Sequence, residues 1–171
     1  VTIENAIAGQ GNDILIGNGS RNSLDGGAGI DTVQAGSARS QFTLNKTSGG
    51  YTLTDNANPG NQDTLTNIER VKFADAHVAL DLDGHAGEVA KLLGAVFGAA
   101  TVANQDYAGI GLTKADEGLS YEQLATFAID ATKLTRHDDI VTLLWQNLFG
   151  SVPTLSEKSP YVNMLDTGEI S

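Results

Sequence analysis

The sequence predicts an α+β fold in which a glycine-rich repeat and a group of strands precede a small all-α domain. Three observations lead to this fold class. Glycine, asparagine and aspartate recur with a nine-residue period over residues 1–42, and apolar and polar residues alternate as in strands over 43–83. Over residues 84–171 the apolar side chains fall at helical spacing. We therefore expect three segments with these boundaries.

The repeat of the first segment is G-x-G-x-D followed two residues later by a large apolar residue. It occurs twice, with its acidic position at Asp13 and at Asp31, and the unit between them keeps the frame with Asn22. A degenerate fourth unit, 36–42, would place Phe42 in the same register. A nine-residue period does not match a helix and predicts glycine turns that alternate with short strands. The apolar position is occupied by Leu15, Leu24 and Val33.

Glycine turns of this kind favour a calcium ion as the cofactor. They bring backbone carbonyl oxygens together beside an aspartate, and calcium takes six to eight oxygen ligands at about 2.3–2.6 Å. The charge of the chain is compatible with a cation, because 21 Asp and Glu against 10 Lys and Arg give a formal net charge of −11. The same charge argues against a nucleic-acid partner, since it repels phosphate.

These units resemble the nonapeptide G-G-x-G-x-D-x-U-x of RTX (repeats-in-toxin) proteins. The resemblance implies that residues 1–42 form a short parallel β-roll with two nonapeptides in each turn. It further implies one calcium between the Gly9–Asp13 loop and the Gly26–Asp31 loop, bridged by both aspartates. The implied metal ligands are Gly9, Gly11, Asp13, Gly26, Gly27, Ala28, Gly29 and Asp31. Weaker candidates for a site on the opposite edge are Asn18, Ser20 and Asn22.

The middle segment, 43–83, is predicted to be strands that cap or continue the repeat. Residues 42–54 alternate apolar and polar around Ser48–Gly50, which predicts a hairpin. The stretch 51–75 also resembles one that often follows RTX repeats, which implies a capping role, and capping would cover unpaired strand edges. We expect Asp55, Asp63 and Asp75 to form turns, with calcium ligation as the alternative.

The helical segment has recognisable helix starts. Ser120 and Thr154 each fit a capping box, and Thr135 is a candidate cap for the helix that follows it. Pro160 is expected to kink or restart its helix. The apolar stripe that contains Trp145 and Phe149 is expected to be helix core, with a ligand groove as the alternative.

The helical segment also contains an internal repeat. Leu92, Phe97 and Gly98 recur as Leu144, Phe149 and Gly150, and residues 116–120 parallel 166–171. The second copy stops where the first begins another helix, so we expect the chain to end inside a repeat. This segment resembles an uncharacterised helical repeat domain of secreted RTX proteins, which supplies no catalytic residues to carry over.

No motif in the sequence predicts catalysis. H-E-x-x-H and G-x-S-x-G are absent, and the histidines His77, His85 and His137 are isolated. The run His137-Asp138-Asp139 is expected to be a solvated first helical turn rather than a metal cluster. The chain is therefore expected not to be an enzyme.

The expected function is that of a non-catalytic calcium-binding module. By resemblance it belongs to a protein exported by type I secretion from a Gram-negative bacterium, located outside the cell or on its surface. It would fold on extracellular calcium and so stabilise or present the parent protein. One alternative is a module that attaches to a surface polysaccharide, an S-layer or another subunit. Another is the accessory C-terminal part of a secreted hydrolase. No apolar run reaches membrane-spanning length.

Overall fold

The structure, a computed structural model, describes residues 4–170 and is an α+β fold. The chain divides into two compact units, of which the first ends at Asp81 and the second begins at Leu82. Every strand of the described residues lies in the first unit and every α-helix in the second. None of the helices in this part of the chain has the length and apolar character that crossing a membrane requires.

The strands of the first unit are short and form two open sheets. One sheet has the order β1-β3-β7-β6-β5 and the other β2-β4-β8-β9. From β1 to β4 the chain alternates between the sheets, so each glycine-rich turn leads from one sheet to the other. The strands are β1 (Asn5–Ile7), β2 (Ile14–Leu15), β3 (Ser23–Asp25), β4 (Thr32–Gln34), β5 (Phe42–Thr47), β6 (Gly50–Asp55), β7 (Gln62–Thr66), β8 (Arg70–Lys72) and β9 (His77–Ala79).

Parallel pairing joins strands that are two repeats apart. Asn5 pairs with Ser23 and Ile14 with Thr32, each across eighteen residues. Because successive side chains of a strand point to opposite faces, each short strand turns one large apolar side chain into the core. The inward residues of the parallel strands include Leu15, Leu24, Val33, Leu65 and Val71, all buried. The predicted apolar positions of the repeat are therefore core residues.

The predicted hairpin is present, but the degenerate fourth repeat is not. β5 and β6 pair antiparallel, with Phe42 opposite Asp55. β7 lies beside β3 where a further repeat strand was expected, and Leu65 pairs with Leu24. The prediction that Phe42 keeps the register of the repeat was wrong because a 3-10 turn at Arg39–Gln41 leads the chain into the hairpin.

The second unit consists of five α-helices within the described residues. Both predicted capping boxes are present, at Ser120 and at Thr154. In each, the side chain of the N3 residue also bonds back to the cap, which satisfies two backbone donors at the helix start. The helices are α1 (His85–Phe97), α2 (Gln105–Asp116), α3 (Tyr121–Thr132), α4 (His137–Phe149) and α5 (Leu155–Thr167).

One predicted helix boundary was wrong. α4 starts at His137 with Arg136 at the N-cap position, so Thr135 is not the cap. Of the two outcomes expected at Pro160, a restart does not occur, because α5 continues through this residue. Proline removes its own backbone donor and crowds the carbonyl four residues earlier, so the remaining backbone bonds and the capping box at Thr154 hold the helix.

α1 and α4 occupy equivalent positions in two helical repeats. His85 Nδ1 lies 2.8 Å from Asp116 Oδ1, which joins the start of α1 to the end of α2. His137 Nδ1 lies 2.6 Å from Asp166 Oδ1, which joins α4 to α5 in the same way. The predicted internal repeat is thus matched by a repeated contact. In the first repeat α3 completes the core by packing Leu124 against α1.

The C-terminal part of α4 is not core, contrary to the prediction from its apolar stripe. Phe149 is 64% exposed and Leu148 is 61% exposed, while Trp145 is half-buried. Helical periodicity identifies a face but not the partner that covers it. Among the described residues, no helix follows α5 in the position that α3 takes in the first repeat.

We expect Leu65→Ala to destabilise the first unit by about 2–5 kcal/mol, because it opens a cavity beneath a side chain that is only 1% exposed. Urea unfolding followed through the amide signals of β3 and β7 measures the change. Ile14→Ala is the control, since Ile14 is exposed and its loss is expected to change stability by less than about 0.5 kcal/mol. Equal effects of the two variants would contradict the assigned core.

Candidate metal site

The glycine turns at residues 8–13 and 26–31 stack on each other, which brings together all eight of the predicted metal-site residues. Gly11 N donates to Ala28 O at 2.7 Å, and Ala28 N donates to Gly9 O at 3.1 Å. Thr32 N donates to Asp13 O at 2.9 Å and continues the contact into the strand pair. The carbonyls of Gly9 and Ala28 are therefore already used in joining the two turns.

Gly27 and Gly29 allow the two turns to approach closely. Both have positive φ, 88° and 129°, a conformation that side chains with a Cβ rarely adopt. A Cβ on Gly27 would collide with the carbonyl oxygen of Gly9, and one on Gly29 with that of Gly11. The backbone oxygens of the first turn thus lie directly against the second turn.

The two aspartates of these turns have different environments. Asp13 Oδ2 accepts a bond from Gly9 N at 3.1 Å and closes its own turn. Asp31 is fully buried, and its Oδ1 accepts from Asp13 N at 2.8 Å. Its other carboxylate oxygen, Oδ2, is buried and has no hydrogen-bond partner. A buried carboxylate oxygen in this position is costly unless a donor or a cation compensates it.

A third level, residues 67–69, extends the stack and was not predicted to belong to the site. Glu69 Oε2 accepts from Asp31 N at 2.8 Å, which repeats the contact between Asp31 and Asp13. The carbonyl oxygen of Asn67 lies against Gly26, in the space that a Cβ on Gly26 would fill. The same Cβ would lie 2.5 Å from Asp31 Oδ2. The unpartnered oxygen and the Asn67 carbonyl therefore flank Gly26 together.

A short sequence pattern could have revealed this third level. Residues 30–33 read Ile-Asp-Thr-Val and residues 68–71 read Ile-Glu-Arg-Val, so an acid precedes an inward valine in both. The strand pairing aligns Val33 with Val71 in this register. The hairpin between the two patterns interrupts the nine-residue period. The period therefore does not predict that Glu69 is equivalent to Asp31.

The weaker candidates on the opposite edge form a turn of their own. Asn22 is buried, and its Oδ1 accepts from Asn18 N at 2.9 Å. Asn18 Oδ1 accepts in turn from Ser20 N at 2.8 Å. Asn22 N donates to Asp63 Oδ1 at 2.8 Å, so Asp63 occupies on this edge the place that Glu69 has on the other. These amide oxygens bond to backbone donors in the structure.

Two acidic groups in these stacks favour the protonated state more than usual. Burial raises the pKa of Asp63, and the N–H of Asn22 partly offsets that rise. Burial also raises the pKa of Glu69, with a further contribution from the negative charge of Asp31. Both effects oppose the accumulation of negative charge along the edges of the unit, and a bound cation would relieve them.

The remaining acidic candidates have structural partners. Asp55 Oδ1 accepts from Ala57 N at 2.9 Å within its own turn, and Asp75 Oδ1 accepts from Arg39 N at 2.7 Å. In the second unit, Asp138 Oδ2 accepts from Lys158 Nζ at 2.7 Å. The neighbours of Asp138 point elsewhere, since His137 bonds to Asp166 and Asp139 lies 3.9 Å from Arg136.

The donor set of the stacked turns fits a hard cation. It offers carboxylate and backbone carbonyl oxygens, which calcium prefers, and no nitrogen or sulfur ligand. Across residues 4–170, no three His, Asp or Glu side chains converge as a metal cluster, so carbonyl oxygens would have to supply much of the coordination. The sequence matches no protein-family model and no curated protein.

We expect Gly26→Ala to destabilise the first unit by about 1–3 kcal/mol, because the new methyl group would collide with the Asn67 carbonyl and with Asp31 Oδ2. Gly19→Ala is the matched control, since a Cβ there meets no atom within 4 Å. Urea unfolding of both variants measures the difference. A Gly26→Ala variant as stable as Gly19→Ala would contradict the close approach.

We also expect Glu69 to make the stability of the first unit depend on pH in the absence of calcium. Its raised pKa means that the folded state holds the proton more tightly than the unfolded state, so stability falls as pH rises. The fall begins near the ordinary value of 4.5 and is complete above the raised pKa. Glu69→Gln keeps an acceptor for Asp31 N without the charge.

The stability of Glu69→Gln minus that of the native protein is therefore expected to increase across this pH window. Urea unfolding in chelator, at a series of pH values, measures this difference. Glu122→Gln, the same substitution in the second unit, is the control and is expected to leave the pH dependence of the first unit unchanged. A flat or falling difference for Glu69→Gln would contradict the assignment.

Proposed function

We propose that the first unit is a calcium-binding parallel β-roll of the RTX type and that the chain is a non-catalytic part of a secreted bacterial protein. The observation that carries the proposal is the unpartnered, fully buried Oδ2 of Asp31 inside stacked glycine turns. The eighteen-residue register of the parallel strands supports the roll, because it equals two nonapeptides.

The chemistry of the turns supports calcium as the cation. The proposed ligands are the carboxylates of Asp13 and Asp31 and carbonyl oxygens of the two glycine turns, among which Gly11 faces Gly29. To these we add the carbonyl of Asn67, which lies beside Gly26. When bound, calcium supplies positive charge that offsets the repulsion between stacked carboxylates and removes the penalty for burying Asp31.

Calcium binding is proposed to drive the folding of the first unit. Its core has one large inward side chain for each short strand, so little apolar area opposes the loss of chain entropy. Extracellular calcium modules bind with Kd values of roughly 10⁻⁴–10⁻³ M. A site of this affinity stays empty in the cytosol and fills outside the cell. This suits export of an unfolded chain by type I secretion from a Gram-negative bacterium.

A second candidate function is attachment through the helical unit to a surface polysaccharide, an S-layer or another subunit. The observation that favours it is the exposure of Phe149, Leu148 and Tyr161 on α4 and α5. Exposed apolar groups of this size commonly mark a binding surface. Both functions are compatible with a non-catalytic role, in which His85 and His137 join helices through Asp116 and Asp166.

We expect calcium to stabilise the native first unit and to have no effect on Asp31→Asn. At ten times Kd, one site adds about 1.4 kcal/mol to the free energy of unfolding. In Asp31→Asn the side-chain oxygen still accepts from Asp13 N, while the amide nitrogen replaces the unpartnered oxygen. This variant is therefore expected to be more stable than the native protein in chelator and insensitive to calcium.

Urea unfolding monitored by circular dichroism, with calcium, magnesium or chelator, measures these differences. Asp130→Asn is the control, because it removes one negative charge from the exposed surface of the other unit and is expected to keep the full calcium response. An equal response of the native protein to magnesium, or an undiminished calcium response in Asp31→Asn, would count against the proposal.

A further inference from the structure

An exposed aromatic surface lies on α4 and α5. The ring of Trp145 contacts the ring of Phe149, with centroids 4.6 Å apart, and lies 6.3 Å from the ring of Tyr161. We call these three residues the aromatic face. Phe149 and Tyr161 are both exposed, so the rings form a continuous apolar surface in contact with solvent. The calcium-binding proposal makes no use of it.

The two His–Asp pairs define which residues of the first repeat correspond to the aromatic face. His137 follows His85 by 52 residues, and Asp166 follows Asp116 by 50. The offset of 52 relates α4 to α1, so Trp145 corresponds to Leu93 and Phe149 to Phe97. The offset of 50 relates α5 to α2, so Tyr161 corresponds to Gly111.

In the first repeat, α3 covers these positions. Leu93 is only 6% exposed and belongs to the same buried cluster as Leu124 of α3. The corresponding residues and the apolar side of α3 together line an apolar pocket of about 130 Å³. Its lining includes Leu93, Phe97 and Gly111 from α1 and α2, and Leu124, Phe127 and Ala128 from α3.

We propose that the aromatic face is the docking surface for an amphipathic helix of the α3 type that belongs to a further repeat of this kind. The occupant carries apolar residues at i, i+3, i+4 and i+7, as α3 does with Leu124, Phe127, Ala128 and Ala131. Small residues in this pattern suit a surface that has Trp145 and Tyr161 where the first repeat has leucine and glycine. The aromatic rings supply the anchors that dominate such interfaces.

Charge favours this occupant over a second copy of the chain. From Leu82 onward the sequence contains twelve Asp and Glu against five Lys and Arg, so two helical units brought face to face would repel each other. The α3 segment, residues 119–134, has two acidic residues and one basic residue. An almost neutral helix therefore approaches this unit with little electrostatic penalty.

The test uses the intact chain and a synthetic peptide of residues 117–134, which includes the capping residue Ser120. Trp145 is the only tryptophan, so its emission reports on the aromatic face alone. We expect the peptide to cause a saturable blue shift. Phe149→Asp is expected to weaken binding at least tenfold, and Ile16→Asp, at an exposed site of the first unit, to leave it unchanged. A peptide with Leu124→Asp is the matched control and is expected to cause no shift.

Because a short free helix is only marginally stable, a second measurement attaches the same segment to the C-terminus of the chain, where its effective concentration is about millimolar. We expect the blue shift again, and its loss with Phe149→Asp. No shift in either format overturns the proposal. So does a dimer in sedimentation that Phe149→Asp dissociates while the peptide has no effect. Retention on envelope polysaccharide that requires Phe149 and is not competed by the peptide also overturns it.

Discussion

The backbone N–H of an acidic or amide residue in one turn of the first unit donates to the side chain at the equivalent position of the next turn. Asp13 donates to Asp31, Asp31 donates to Glu69, and Asn22 donates to Asp63. These contacts satisfy backbone donors that no strand partner reaches, and they fix the spacing between turns. They also align carboxylates along one edge, which raises the electrostatic energy of the folded state. The geometry that satisfies the backbone thus stacks negative charge, and the proposed cation would offset that charge most at the unpartnered oxygen of Asp31.

Part of this arrangement was readable from the sequence because it is local. The nine-residue period predicted the glycine turns and the inward positions of Leu15, Leu24 and Val33, which are buried. It did not predict that Leu65 pairs with Leu24 or that Val71 pairs with Val33. The β5–β6 hairpin changes the spacing between these paired residues to 41 and 38. The roles of Glu69 and Asn67 depend on this long-range pairing. Counting residues in steps of nine cannot identify Glu69 or Asn67. An acidic residue nevertheless lies two positions before an inward valine in both the second and the third turn.

The helical unit shows the same division between local and tertiary information. The capping boxes at Ser120 and Thr154 depend on four consecutive residues and were predicted correctly. α2 was not predicted from the sequence, because Gly109 and Gly111 lower its helix propensity. Packing between helices favours glycine at position 111, since a Cβ there would lie 2.6 Å from the side chain of Val89 in α1. The exposure of Phe149 was also missed, because periodicity in α4 describes its own side chains and not the helix that would cover them.

Repetition has different consequences in the two units. A repeated element buries its apolar face only against a neighbour, so an array needs a different structure where it stops. In the first unit the antiparallel hairpin β5–β6 and the antiparallel strand β9 follow the parallel strands, so the sheets cannot continue in the parallel register beyond them. In the second unit the aromatic face repeats positions that are covered in the first repeat, with larger rings in place of Leu93 and Gly111. The exposed parts of the Phe149 and Tyr161 rings lower solubility and bury no apolar area within the unit. Burial under another helix would remove this apolar area from water, which is the physical reason to regard this face as an interface.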